Sequence, residues 1–351
     1  MTSSRSHAMA WLAAAVTVAV VIAAFVMISN PFGSAPAAAG PAGAASRTAA
    51  PRPAPTTTVN PKKAPTPPSL GSYFGAWVQP SIDTSEGRIA AVDSLQQQIG
   101  RRLDIVHTYV RWQAPFPTSS DLTFLDRGDM LLVSWAGIDT RAIVAGTYDS
   151  WIRARALAIK ATHKPIFLEW RWEMDRPNLT PEIHSPALYI AAWDHIRAIF
   201  TREHVQNVTW VWCPTARGFA AGYAQSYYPG NNEVDWVCAD AYPSQLMYSS
   251  FADTVQPFLN WASHLRKPVM IGEFGVPNSY ASRQRAQWLR AARHTVQADP
   301  QIKALLYFDS NPSGQGPQAG YSLQGDVPAL RALRAMADDS YFNPRRLRVP
   351  R

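Results

Sequence analysis

The sequence predicts an α/β protein, a (β/α)8 TIM barrel that follows an N-terminal transmembrane segment and a disordered linker rich in proline and alanine. Three observations lead to this prediction. Residues 8–28 form one apolar run, residues 31–69 are dominated by Ala, Pro, Thr, Gly and Ser, and from residue 70 onward eight short apolar runs alternate with stretches of helical period. Such alternation is typical of a parallel sheet, and eight repeats suit a closed barrel, which usually needs about 250 residues.

The first element is the apolar run Ala8–Ile28, which has 21 residues and follows Arg5 and His7. A helix of about 20 residues crosses a bilayer, whereas the apolar region of a signal peptide has about 7–15 residues. We therefore expect residues 1–30 to be an uncleaved signal anchor that attaches the chain to the membrane and directs the rest outward. The small residues Ala37–Ala39 leave a cleaved signal peptide as the alternative. Either outcome places the remaining chain outside the cytoplasm.

Residues 31–69 are too poor in large apolar side chains to fold, and their prolines favour an extended chain. We interpret them as a spacer, with a functionless remnant of secretion as the alternative.

The net charge of +8 comes from basic residues near the two ends of the sequence. Nine of the 33 Lys and Arg lie in residues 1–69 or 345–351, which leaves 24 basic against 25 acidic residues in the rest of the chain. The sequence has no basic stripe of the kind that would indicate a nucleic-acid partner. We expect a monomeric barrel over residues 70–341 and a basic tail over 342–351.

Two cysteines, Cys213 and Cys238, are too few for a disulfide framework or a metal cluster. We expect two buried thiols in neighbouring strands, and one disulfide is the alternative in an oxidising compartment.

Two glutamates end strands of the predicted barrel. The fourth strand, predicted over Pro165–Glu173, ends on Glu173, and the seventh, over Pro268–Glu273, ends on Glu273. Active sites of such barrels lie at the carboxyl ends of the strands. Two carboxyls about 5–5.5 Å apart are the arrangement of a retaining glycosidase. The remaining predicted strands are Gly71–Trp77, Leu103–Tyr109, Met130–Trp135, Val208–Cys213, Val234–Asp240 and Lys303–Phe308, and the clearest helices are Tyr148–Thr162, Ser185–Glu203, Asp253–Leu265, Arg283–Ala298 and Pro328–Asp338.

The chain from Gly71 onward resembles glycoside hydrolase family 26, the β-mannanase family. The matching motifs are G-T-Y-D-S-W-I at 146–152, W-E-M-D at 172–175, V-T-W-V-W-C-P at 208–214, Y-Y-P-G-N-N-E-V-D-W-V at 227–237, D-A-Y at 240–242 and I-G-E-F-G at 271–275. The resemblance implies Glu173 as general acid/base, Glu273 as nucleophile and Tyr242 as a hydrogen-bond donor to the nucleophile.

Two positions depart from that family's pattern. Trp172 stands where the family usually has a histidine, and a tryptophan cannot accept a hydrogen bond. The last strand commonly ends on a tryptophan under the sugar, whereas this chain has Y-F-D-S-N at 307–311. Phe308, Asp309 or Asn311 must therefore replace it, or the subsite differs.

Alternation along the fourth strand predicts further site residues. Glu169 and Arg171 share the inward side with Glu173 at a period of two. Buried charges of this kind need partners, so we expect Arg171 to bridge carboxylates in or just below the site. A shifted register that exposes Arg171 is the alternative. The same parity places Asp240 and Tyr242 on one face of the sixth strand.

Aromatic side chains near strand ends are candidates for stacking against sugar rings. They are Trp77, Trp112, Trp135, Trp172, Trp212 and Tyr242. His107 and Arg111 lie beside Trp112 near the end of the second strand, although a single His is more often a core residue. Motifs of metalloproteases, serine hydrolases and phosphate-binding loops are absent from the sequence.

These observations lead to the hypothesis of a retaining endo-β-glycosidase that cleaves an extracellular β-mannan or related β-glycan without a cofactor or metal. A barrel that binds glycan without turnover is the first alternative, supported by Trp172 and the missing final tryptophan. An envelope factor that processes polysaccharide at the membrane is the second.

Overall fold

The computed structural model describes residues 63–312 and 320–349, and these form a closed barrel of eight parallel strands in chain order. All eight predicted strands are confirmed, with ends that differ by at most three residues. The strands are β1 Tyr73–Val78, β2 Ile105–Val110, β3 Met130–Trp135, β4 Ile166–Trp170, β5 Val208–Trp212, β6 Trp236–Ala241, β7 Val269–Phe274 and β8 Ile302–Asp309.

Helices surround the barrel, and the five helices predicted most clearly from the sequence are confirmed. The helices of the described residues are α1 Ser85–Ile99, α2 Ser119–Asp126, α3 Thr140–Val144, α4 Asp149–Thr162, α5 Thr180–Ile183, α6 Pro186–Arg202, α7 Ala216–Ala220, α8 Phe251–Ala262, α9 Ser282–Ala298 and α10 Val327–Ala337. Several helices begin at a hydroxyl cap, as where Ser250 accepts a hydrogen bond from the backbone N–H of Asp253.

The core has two parts because each strand buries both of its faces. In β4, Phe167 points into the barrel interior, whereas Ile166 and Leu168 pack in the layer between strands and helices. Glu169 has the inward parity of Phe167 and is 1% exposed. The period-two prediction is therefore correct for Glu169, and the barrel interior contains a carboxyl group below its mouth.

The strand β4 ends earlier than the sequence predicts. It stops at Trp170, and both Arg171 (φ 52°) and Glu173 (φ 51°) adopt the left-handed conformation that few non-glycine residues adopt. The backbone N–H of Arg171 donates to the carbonyl of Trp135, and that of Glu173 donates to the carbonyl of Cys213. Neighbouring strands thus hold this irregular segment, and period-two parity does not apply beyond Trp170.

The two cysteines lie at the end of β5 and within β6, both fully buried. Cys213 and Cys238 are joined as a disulfide, so the expectation of two free thiols is wrong and the alternative is correct. The two strands are neighbours in the barrel, which brings the side chains into reach of each other.

Both ends of the described chain contact the amino-terminal side of the barrel. The backbone N–H of Ala64 donates to the carbonyl of Gln206, just before β5, and the guanidinium of Arg345 donates to the carbonyl of Gly128, just before β3. Phe342 is fully buried. The barrel domain therefore includes the last residues of the predicted linker and the first residues of the predicted tail.

The predicted transmembrane segment Ala8–Ile28 lies outside the described residues. Within residues 63–312 and 320–349, none of the helices combines the length and the apolar character that crossing a bilayer requires.

Candidate active site

Glu273 lies near the end of β7 and is held by two tyrosine hydroxyls. Tyr242, directly after β6, donates to Oε2 of Glu273 over 2.5 Å, and Tyr109 of β2 donates to Oε1. Each carboxylate oxygen therefore has a donor, which fixes the plane of the group. Glu273 itself is 6% exposed. Glu273 is therefore a buried carboxylate with a fixed orientation at the barrel mouth.

Glu173 follows β4 and faces the same cavity as Glu273. Its Oε2 forms an ion pair of 2.6 Å with Nη1 of Arg176, three residues later in the loop. The side chain of Arg176 is 50% exposed, whereas that of Glu173 is 13% exposed. Arg176 is therefore a half-exposed partner of a largely buried acid.

The two glutamates influence each other's protonation. Burial first, and then the charge of Glu173, raises the pKa of Glu273 to about 7, although the hydrogen bonds from Tyr109 and Tyr242 act in the opposite direction. Burial also raises the pKa of Glu173, and Arg176 opposes that rise. Two strongly interacting carboxyls in one site release their protons as a pair. Near neutral pH the pair can therefore hold one proton, as a general acid beside a nucleophile requires.

The loop that carries Glu173 is fixed by Asp175. One carboxylate oxygen of Asp175 accepts from the backbone N–H of Thr215 over 2.9 Å, and the other accepts from the Thr215 hydroxyl over 2.6 Å. The Thr215 hydroxyl also accepts from the backbone N–H of Gly218 and so caps α7. A Cβ atom on Gly218 would lie 1.9 Å from Asp175 Oδ2. The loop after β4 and the start of α7 are thus locked together.

Below the glutamates, two further carboxyls are buried inside the barrel. Glu169 accepts from the hydroxyl of Ser134, which also contacts Nε2 of His107 over 2.6 Å. Oδ1 of Asp240 lies 3.3 Å from the disulfide sulfur of Cys213. Oδ2 of Asp240 has no hydrogen-bond partner among the described residues.

The environment of the interior carboxyls favours their protonated form. A disulfide sulfur donates no hydrogen bond, so the ionised form of Asp240 would lack support. Burial, reinforced by the charge of Glu273, raises the pKa of Asp240 well above its ordinary value, and burial does the same to the pKa of Glu169. Burial of these two carboxyls is therefore less costly in the protonated form, and neither carboxyl has an arginine partner among the described residues.

The same interior residues are the candidates for holding a metal ion. One ligand atom from each of Glu169, Cys213, Cys238 and Asp240 lies within 4.8 Å of the others. In the disulfide form the two sulfurs are not thiolates, the form that binds metals. The group then offers two carboxyls alone, which is a poor set for a tightly held metal.

The glutamates face a cavity of about 490 Å³ with aromatic walls, which shares lining residues with two neighbouring cavities. A cavity of about 630 Å³ adjoins it behind Trp77, Tyr109 and Trp172. A third cavity, of about 410 Å³, shares Glu173 and Arg176 with it and extends toward α7. Together the three cavities form an open cleft with the two acids in its middle, which suits a long chain molecule. The aromatic walls of the central cavity are Trp77, Tyr109, Trp172, Tyr242, Phe308 and Tyr321.

Sequence comparison relates this chain to known glycoside hydrolases. No protein-family model matches the chain. Endoglucanase H of Acetivibrio thermocellus is 26% identical over 302 residues, which cover 79% of this chain and 32% of that protein. A β-1,3-xylanase of an Alcaligenes species is 26% identical over 166 residues, covering 45% of this chain and 31% of the relative. The chain thus spans about a third of the length of these curated relatives.

Solved structures extend the comparison to the fold. The catalytic domain of a family 26 endo-β-1,4-mannanase from a Bacillus species has a TM-score of 0.60 at 13% identity, covering 77% of this chain and 86% of that one. A family 26 β-mannanase from Bacteroides ovatus has a TM-score of 0.56 at 12% identity, covering 79% and 90%. The resemblance to glycoside hydrolase family 26 is confirmed. The sequence relatives and the structural neighbours named here are enzymes that act on β-glycans.

Arg171 does not play the part that we predicted. Its ion-pair partner is Glu182 in α5, with Nε of Arg171 3.0 Å from Oε1 of Glu182. The prediction that Arg171 bridges carboxylates below the site is wrong because β4 ends at Trp170 and the left-handed turn directs the side chain away. The alternative, an exposed Arg171, is also wrong, because the residue is 8% exposed.

Three other predicted site residues are core residues. Trp112 stacks on Trp135 with ring centroids 4.3 Å apart, and Trp212 packs against Phe219 and Trp261 in the layer between barrel and helices. Both belong to the outer core and do not line the cleft. His107 is 1% exposed, and burial lowers its pKa to about 3, so it is a neutral core histidine below the site.

Asp309 also differs from the prediction. Its Oδ1 accepts from the backbone N–H of Leu323 over 2.8 Å, which fastens the segment before α10, and it faces a cavity other than that of the glutamates. Phe308, one residue earlier, lines the glutamate cavity where family 26 commonly has a tryptophan. A smaller aromatic ring therefore fills the final-strand position.

The remaining predicted residues lie in or directly beside the cleft. Trp172 lines the central cavity and contacts Tyr109 at a ring distance of 5.1 Å, so it forms an aromatic wall where family 26 has a polar histidine. Arg111 lines the adjoining cavity of 630 Å³. Asp240 and Tyr242 both border the cavity toward α7, as their shared parity predicted.

The sequence reasoning missed Tyr109 and Arg176. Tyr109 lies two residues after His107 on β2 and shares its inward parity, so alternation along β2 could have identified it. Arg176 lies three residues after Glu173, a spacing that brings side chains together in a turn. A basic residue at that spacing is a signal that a search for strand-end acids alone does not use.

Proposed function

We propose that the protein is a retaining endo-β-glycosidase that hydrolyses a β-mannan or a related β-glycan outside the cytoplasm. The observation that carries this proposal is the position of Glu273, between two tyrosine donors and facing the same cavity as Glu173. The relatives and neighbours, which are named as endoglucanases, mannanases and xylanases, support the choice of a β-glycan.

The reaction proceeds by double displacement. The carboxylate of Glu273 attacks the anomeric carbon, and Glu173 gives its proton to the departing glycosidic oxygen. Glu173 then removes a proton from water, which attacks the glycosyl ester and releases Glu273. Tyr109 and Tyr242 keep the nucleophile oriented throughout.

Endo action is proposed because the cleft continues on both sides of the acids. Sugars on either side of the cleaved bond can then occupy the two adjoining cavities. Attachment to the membrane through residues 1–30, or secretion after their removal, remains part of the proposal. It rests on the sequence alone.

The test compares Glu173→Ala and Glu273→Ala with the wild type on a panel of β-mannans, β-glucans and β-xylans. We expect each variant to lose at least about a thousandfold in kcat on the glycan that the wild type cleaves. The exposed residue Glu86 provides a control, and Glu86→Ala should retain wild-type activity. NMR detection of the first anomer released should show retention of configuration.

Three results would contradict the proposal: no cleavage of any glycan by the wild type, full activity of either variant, or inversion at the anomeric carbon. Glycan binding without any turnover would instead support a binding barrel.

A further inference from the structure

The cleft contains arginines that no acid in the described chain neutralises. Arg217 of α7 is exposed, lines the cavity of 410 Å³ next to Glu173, and forms no ion pair with any of residues 63–312 and 320–349. An unpaired guanidinium on the wall of a cavity is a ready donor for an anion, because its planar fork matches a carboxylate.

The other charges of that cavity do not cancel Arg217. Its remaining charged residues are Glu173, Arg176 and Asp240. Glu173 and Arg176 form an ion pair with each other. Asp240 is 3% exposed and its Oδ2 has no hydrogen-bond partner among the described residues, an environment that favours the uncharged carboxyl. The cavity therefore has one positive charge in excess, within reach of a molecule bound beside Glu173.

The opposite arm of the cleft has as many acidic as basic lining residues, but it also contains an arginine without an ion-pair partner. Its charged lining residues are Asp83, Arg88, Arg111 and Asp121. Asp83 and Arg88 form an ion pair of 2.7 Å, and the buried carboxylate of Asp121 caps α2 through Thr118. Arg111 is exposed and, among the described residues, has no ion-pair partner. Both arms thus present an uncompensated arginine to a bound chain.

We propose that the natural substrate is an acidic β-glycan, in which a sugar next to the cleaved bond bears a carboxylate that Arg217 and Arg176 receive. This inference rests on the proposed glycosidase function and narrows its substrate class. A neutral mannan or glucan would offer Arg217 hydroxyl groups alone and no charged partner inside the cleft.

Binding of such a carboxylate would also change the catalytic acid. The substrate carboxylate competes with Glu173 for the guanidinium of Arg176, whose side chain is half-exposed and therefore accessible to a bound molecule. Once Arg176 contacts the substrate, Glu173 loses its cationic partner and keeps its proton more firmly. The acidic substrate would thereby prepare the proton donor of its own cleavage.

The test is calorimetric binding to the full chain carrying Glu273→Gln, which prevents turnover. The two probes are an oligosaccharide of β-1,4-linked glucuronate and the β-1,4-linked glucose oligosaccharide of the same length. We expect the acidic probe to bind about tenfold more tightly at low salt, with a difference that shrinks at high salt.

Adding Arg217→Gln should weaken binding of the acidic probe about tenfold and leave the neutral probe nearly unchanged. Arg217→Lys should restore part of the loss, because lysine keeps the charge without the fork. Arg202→Gln, at an exposed arginine of α6 away from the cleft, is the matched control and should have no effect.

Equal affinity for both probes, or an equal loss with Arg202→Gln, would overturn the inference. The two proposals fail separately. Cleavage of neutral glycans by the wild type together with equal binding of both probes would overturn this inference alone. Selective binding of the acidic probe without cleavage of any glycan, the acidic probe included, by the wild type would overturn the glycosidase function alone.

Discussion

The two tyrosine donors to Glu273 should control the pH at which the site becomes active. Tyr109→Phe and Tyr242→Phe each remove one hydroxyl that donates to the carboxylate. These hydrogen bonds lower the pKa of Glu273, which burial and the charge of Glu173 raise to about 7. Loss of a donor therefore raises that pKa further, and the nucleophile ionises at higher pH.

The size of the shift follows from the strength of the bonds. A hydrogen bond to a charged group is worth about 1.5–3 kcal/mol, and one pKa unit corresponds to about 1.4 kcal/mol. Each variant should raise the pKa by about one unit, and the double variant by about two. At pH 6, below the pKa of the wild type, each substitution should then lower kcat/KM about tenfold.

The assay is the pH dependence of kcat/KM on the glycan that the wild type cleaves, supported by carbon NMR titration of labelled glutamate carboxyls. Tyr341→Phe is a matched control, because it loses a hydrogen bond to the carbonyl of Val296 far from the site. An acidic limb that stays in place, or moves to lower pH, would refute the reasoning.

Two further substitutions test the residues that support the site. Gly218→Ala places a methyl group 1.9 Å from the Asp175 carboxylate. We expect the free energy of unfolding to fall by about 1–3 kcal/mol in urea titrations, together with the activity. Unchanged values would contradict the proposed locking of the loop. Asp240→Asn removes a buried carboxyl whose pKa is raised in the folded state. Relative to this variant, the wild type should lose up to about 1.4 kcal/mol of stability per pH unit above pH 4. Parallel stability curves of the two proteins from pH 5 to 8 would contradict this expectation.

The barrel and the two glutamates at its strand ends could be predicted from the sequence because both depend on local patterns. Apolar runs of five or six residues alternate with amphipathic stretches, and the acids follow those runs directly. The parity of Glu169 could also be predicted, since it lies inside the regular part of β4. Where the backbone stays extended, the side-chain direction follows from counting.

Strand alternation did not predict side-chain directions where the backbone leaves the extended conformation. Arg171 takes a left-handed conformation one residue past the strand, and its partner Glu182 belongs to a different helix, which no sequence period identifies. The prediction that two tryptophans line the site was wrong for a related reason. Trp112 and Trp212 are large and lie near strand ends, but whether they face the cleft or the helices depends on packing around the whole barrel.

The contacts of Ala64 and Arg345, near the two ends of the described residues, with the amino-terminal side of the barrel have a practical consequence. Residues 64 and 345 contact loops that precede β5 and β3, on the side opposite the cleft. A tag, a solid support or a fused protein joined at either end would leave the rim of the cleft clear for a polymer too large to diffuse into a closed pocket. Immobilised protein should therefore be usable on insoluble fibres without redesign of its surface.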